Sequence, residues 1–84
     1  MENKVLVEII VPAIEKKFDV YLPVNRKIGN LIEFIGKGIT EFSTGAFVID
    51  KTTCLYNSFT GVRYNNDEIV RKTDIRNGTK LVLI

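Results

Sequence analysis

The sequence predicts an α+β domain, a mixed sheet of four to five strands with one helix packed across it, and three observations lead there. Dense β-forming runs stand at both ends, Val5-Leu6-Val7-Glu8-Ile9-Ile10-Val11 and Lys80-Leu81-Val82-Leu83-Ile84. One long segment between them, Ile28–Phe42, changes the hydrophobic period from two residues to 3.6. Hairpin-like strand pairs flank that segment on either side.

Each element follows from residue type and spacing. Lys4–Val11 is rich in Val and Ile, with Val5, Val7, Ile9 and Val11 on one face and Leu6, Glu8 and Ile10 on the other. Pro12 ends the strand because it has no N–H to give a ladder. After a short turn, Lys17–Leu22 alternates with Phe18, Val20 and Leu22 inward and Lys17, Asp19 and Tyr21 outward, which makes the first hairpin. Pro23 closes it, and Asn25 in the connector is the expected helix N-cap. Ile28, Leu31, Ile32, Ile35, Ile39 and Phe42 form one apolar stripe about 100° wide. Gly36 and Gly38 each cost that helix up to about 1 kcal/mol against Ala, and their expected cause is a crossing loop that comes close. Ser43-Thr44-Gly45 reads as the helix exit.

Ala46–Ile49 reads as a short strand or an anchoring apolar loop. Cys54–Asn57 and Val62–Tyr64 flank Ser58-Phe59-Thr60-Gly61 and predict a second hairpin. Ile69 and Ile75 are apolar anchors in an otherwise polar stretch, and Asn77-Gly78 turns the chain into its final strand. If that strand lies beside the first it runs parallel to it, since the helix supplies the long crossover that parallel pairing needs. The sheet order is then second, first, last, third, with the helix burying its apolar stripe on one face, a β-grasp arrangement.

Composition bounds the rest. Eighty-four residues suit one domain spanning 1–84. A net charge of +2, with twelve basic residues dispersed along the chain, is the pattern of a solvated surface and not of a phosphate-binding stripe. Tyr21, Tyr56 and Tyr64 could stack bases, but stacking platforms sit in basic grooves, so no nucleic-acid partner is expected. One cysteine, Cys54, excludes an internal disulfide, and its place in a strand pattern predicts a structural thiol. No leader is legible, and Val5–Val11 is too short to insert in a bilayer, so a soluble cytoplasmic protein is expected.

Chemistry is not visible. Histidine is absent, carboxylates are scattered, and no phosphate-loop, dinucleotide, CxxC or HExxH motif occurs, so an enzyme is not expected and neither is a cofactor or a metal. The notable feature is the sheet face away from the helix. It would carry Leu6, Ile10, Val82 and Ile84, joined by Tyr56 if Leu55 faces the core, with Lys80 among the charges at its rim. A contiguous exposed apolar patch with a polar rim marks a surface that binds protein.

Lys4–Leu22, Ile28–Phe42, Cys54–Tyr64 and Glu68–Ile84 together resemble ubiquitin-like proteins over nearly the whole chain. The closing pattern Ile75-Arg76-Asn77-Gly78-Thr79-Lys80-Leu81-Val82-Leu83 is similar to the I-x-x-G/S-T/D-x-L-x-L ending of that superfamily. Within it the chain most resembles the small bacterial EsaB/YukD family. The features are its length, the hairpin with Pro12 at its turn, Ser43-Thr44-Gly45-Ala46-Phe47 after the helix, and the Asn77–Leu83 ending. This resemblance implies a cytosolic accessory component of the type VII (WXG100) secretion systems of Gram-positive bacteria, acting through protein contacts. The hydrophobic patch of ubiquitin-like folds would correspond here to Tyr56, Ile84 and the hairpin tip Ala13-Ile14. Conjugated modifiers and sulfur carriers carry an adenylated Gly-Gly tail, whereas this sequence ends at Ile84 within a strand, so conjugation and sulfur transfer are not expected. The alternative reading is a ubiquitin-like subunit or carrier of an enzyme complex, such as a multicomponent monooxygenase effector or a degenerate sulfur carrier.

Overall fold

The computed structural model describes residues 3–84. Strand β1 (Lys4–Val11) and strand β2 (Lys16–Pro23) form the expected antiparallel hairpin, with Val7 opposite Val20 and Ile9 opposite Phe18. The chain leaves the ladder at Pro12, makes one 3-10 turn over Pro12–Ile14, and re-enters through Glu15, which donates its N–H to the Pro12 carbonyl and, at a φ of 54°, turns the chain back into the second strand. Val7, Ile9 and Val11 are fully buried, which fixes the inner face as the one that the alternation predicts.

Helix α1 (Ile28–Phe42) has the predicted bounds and buries Ile28, Leu31, Ile32, Ile35 and Ile39 against the sheet. Its N-terminus corrects one expectation. Asn25 is not the cap. The capping position is Lys27, which makes no side-chain bond to the helix. The first helical N–H groups are instead taken by distant backbone, Ile28 by the Glu68 carbonyl and Gly29 by the Asn66 carbonyl, each at 2.9 Å. Asn25 accepts a hydrogen bond from the Arg71 guanidinium and so ties the connector to the later loop.

Past the helix, the chain reverses through Thr44 and Gly45, both at positive φ, and Ala46–Ile49 is an irregular loop and not a strand. It crosses the helix closely. A Cβ on Gly36 would lie 2.2 Å from Ile49 Cγ2, whereas one on Gly38 would meet nothing within 4 Å. The crossing-loop reason thus holds for Gly36 alone.

Strand β3 (Leu55–Asn57) pairs antiparallel with strand β4 (Lys80–Leu83), and β4 runs parallel to β1, giving the order β2–β1–β4–β3. The sheet therefore has four strands. The expected hairpin partner Val62–Tyr64 contributes only a single bridge, Arg63 to Tyr56. The reason lies in Asn57 and Tyr64. The Asn57 side chain accepts from the Phe59 and Thr60 N–H groups at 2.8 and 3.0 Å, which tightens the turn. Tyr64 then dives into the core, where its hydroxyl accepts from Asn57 Nδ2 at 3.0 Å and donates to Asp74 at 2.6 Å. Val70, at the start of a second 3-10 turn and bonded through its N–H to the Arg26 carbonyl just before the helix, and Ile75 complete the core. Among the described residues no helix is long and apolar enough to cross a membrane.

Candidate protein-interaction face

Strand register decides which outward side chains stand together. In β1, β4 and β3 the pairs Ile10–Val82 and Val82–Tyr56 place three apolar side chains in one row across hydrogen-bonded neighbours. Lys17 of β2 continues the row at one end, opposite Ile10, and Arg63 ends it beside Tyr56. One step along β4, Ile84 is 60% exposed and held by reciprocal backbone bonds with Cys54 at 2.7 and 3.0 Å. Ile10, Tyr56 and Val82 are half-buried. Their flanks are packed by neighbouring strands while α1 lies on the opposite face.

The next row toward the N-terminal end of β1 is charged, Asp19–Glu8–Lys80. Leu6 lies beyond it, opposite Tyr21. This corrects the extent of the patch. Leu6 and Tyr21, exposed by 38% and 64%, are a separate spot, because Glu8 and Lys80 stand between them and the apolar strip. The contiguous strip is Ile10, Val82, Tyr56 and Ile84, with Lys17, Lys80 and Arg63 giving it a largely basic rim. Continuing the parallel register puts Ile84 level with Pro12, where the turn bearing Ala13 and Ile14 begins. Ala13 is exposed there, but Ile14 is half-buried and packs against the core, so it offers the face only part of its side chain.

Cys54 belongs to the outward set by alternation yet is only 9% exposed, with Arg63 Nε 3.0 Å from its sulfur and its thiol donating to the Thr52 carbonyl. Arg63 was legible only as part of a hairpin strand, and its role at the rim depends on the turn that bends it over Cys54. The carboxylates do not converge: among the described residues no group of three or more His, Cys, Asp or Glu could hold a metal ion. Burial, with the hydrogen bond to Asp74 second, pushes the Tyr64 hydroxyl up to about 12. Asp50 is held below its ordinary value, first by the Thr52 hydroxyl and then by the Thr52 N–H. Both arrangements fasten loops, and neither aims a reactive group at a cleft.

No protein-family model matches the chain, and no curated protein matches it. Solved structures do match. The EccD5 ubiquitin-like domain of Mycobacterium xenopi superposes with a TM-score of 0.79 at 15% identity, covering 99% of this chain and 94% of that one. The ubiquitin-like domain of the Mycobacterium tuberculosis type VII secretion system protein ECCD1 gives 0.74 at 14% identity, with 99% of each chain covered. A ubiquitin-like domain from an Arabidopsis thaliana protein gives 0.71 at 20% identity, covering 99% of this chain and 78% of that one. The fold is the ubiquitin-like β-grasp, and it resembles the ubiquitin-like domains of type VII secretion proteins among others.

Proposed function

We propose that this chain is a non-catalytic, cytoplasmic adaptor of the EsaB/YukD kind, which holds a protein component of a type VII secretion system against its outer sheet face. The observation that carries the reading is the Ile10–Val82–Tyr56–Ile84 strip. Apolar residues in register on three adjacent strands of an uncovered face are a binding surface with the geometry of a small interface core. The likeness to the ubiquitin-like domains of EccD5 and ECCD1 supports the secretion setting. The rim of Lys17, Lys80 and Arg63 favours a partner patch that is apolar at its centre and acidic at its edge.

The test is Ile10→Asp combined with Val82→Asp. Both positions face away from the core, so the double variant keeps its far-UV circular dichroism spectrum and loses capture of the secretion component. A folded double variant that captures it as well as the unaltered protein refutes the proposal.

A further inference from the structure

The sheet has two edges, and they are not alike. At β3 the outer edge is closed by the chain itself. The Leu55 carbonyl accepts from the Tyr64 N–H and the Asn57 N–H donates to the Val62 carbonyl, both at 2.9 Å. At β2 nothing comparable happens. In β1, Glu8 donates its N–H to Thr79 and Leu6 accepts from the Gly78 N–H, so its even-numbered backbone groups face β4. Its odd-numbered groups then face β2 and bond to Lys16, Phe18, Val20 and Leu22. This leaves the N–H and C=O groups of Lys17, Asp19 and Tyr21 directed away from the sheet, and among the described residues none of the six has a backbone partner. An open row of this kind is a template for another strand.

The same edge borders an apolar groove. On the helix side Phe18 packs edge-to-face on Phe42 with ring centroids 5.3 Å apart, and a groove of about 570 Å³ runs past Val20, Phe34 and Ile39. Phe34 and Phe42 are 77% and 63% exposed, an arrangement that a solitary edge does not require.

We propose that the β2 edge pairs antiparallel with the β2 edge of a second copy of this chain, about a two-fold axis through Phe18. Charge chooses the occupant and the register. A symmetric pairing sets each outward residue opposite the one equally far beyond the axis, so the choice of axis decides what Lys17, Asp19 and Tyr21 meet. An axis through Asp19 sets that carboxylate against its own copy, which is destabilising. An axis through Val20 puts Asp19 opposite Tyr21 and leaves Lys17 opposite Pro23. An axis through Phe18 pairs Lys17 with Asp19 of the second copy twice over. It also brings both Phe18–Phe42 pairs around the axis, covering the exposed Phe42 rings. The chain is thus complementary to itself at this edge. Because the β3 edge is closed, the pairing ends at two copies and does not propagate.

Sedimentation equilibrium from micromolar to millimolar protein tests this without any knowledge of a partner, so its outcome is separate from that of the adaptor reading. The unaltered chain forms a dimer. Asp19→Lys alone, or Lys17→Asp alone, sets like charges opposite each other at both sites and weakens the dimer at least about tenfold. The exchange K17D/D19K restores it, because the same two pairs re-form with their signs reversed. Both positions are exposed, so all variants keep the monomer fold. A monomer at millimolar concentration overturns the proposal, including one whose edge takes a peptide from another protein instead. So does a dimer indifferent to the single reversals, or one that the exchange fails to restore.

Discussion

Two glycines two positions apart in one helix should respond to the same substitution with opposite sign. Gly36→Ala gains helix propensity, worth up to about 1 kcal/mol. It also drives the new methyl group to 2.2 Å from Ile49 Cγ2 and 3.2 Å from Ile49 Cδ1. The closer carbon branches from Cβ and cannot swing clear without a change of χ1 or a shift of the loop. Overpacking of this kind costs about 1–3 kcal/mol, so the net effect is a loss of about 1 kcal/mol. Gly38→Ala meets no atom within 4 Å and keeps the propensity gain, a stabilisation of up to about 1 kcal/mol. Thermal unfolding followed at 222 nm should show the midpoint falling by about 4–8 °C for the first and rising by up to a similar amount for the second. Combining Gly36→Ala with Ile49→Ala removes the colliding carbons, so the pair should be less destabilised than the sum of its single changes. Equal midpoints for the two glycine variants would refute the close crossing of the Ala46–Ile49 loop over the helix.

Adjacent residues of β4 give a sharper contrast. Leu83 is fully buried, so Leu83→Asp places an unpaired charge in the core and should abolish the folded spectrum, whereas Val82→Asp, on the outer face, should fold. If Val82→Asp unfolds and Leu83→Asp does not, the faces have been assigned the wrong way round. Tyr64 links stability to alkaline pH. Its folded-state value near 12 lies above the ordinary 10, so its contribution is complete below pH 10 and is lost as pH rises from about 10 through 12. Tyr64→Phe should cost about 1–2 kcal/mol at neutral pH, because buried Asn57 Nδ2 loses its acceptor, and should flatten the decline of urea stability between pH 10 and 12. A variant whose alkaline decline matches that of the unaltered protein would show that Tyr64 is not its source.

Most of the fold was legible because local and global signals agree along this chain. The alternation of Phe18–Leu22, the inner face of Val7, Ile9 and Val11, and the 3.6-residue stripe from Ile28 to Ile39 are packed as the pattern predicts, while Phe42, the last residue of the expected stripe, is 63% exposed at the end of the helix. The errors lie where a hydrogen-bond partner elsewhere in the fold overrides what residue type suggests. Asn25 looked like a cap by residue type, but the carbonyls of Asn66 and Glu68 reach the helix N-terminus from far along the chain. Val62–Tyr64 looked like a strand by composition, but the demands of the Tyr64 hydroxyl pull the chain inward after one bridge. The outer-face residues were likewise found by alternation, while their grouping was not. Only the register shows that Glu8 and Lys80 separate Leu6 from the strip, that Arg63 closes its far end, and that Ile14 leans into the core.

The adaptor reading rests on the strip, and one measurement addresses it most directly. A photo-crosslinking amino acid placed at Val82 in the producing cells, beside a second placed at Glu33 on the exposed side of the helix, compares the two faces of the same folded domain. The account predicts a defined adduct with a secretion-machinery protein at Val82, absent at Glu33 and lost when Ile10→Asp is added. An adduct at Glu33 with none at Val82 would place the partner on the opposite side of the molecule and contradict it.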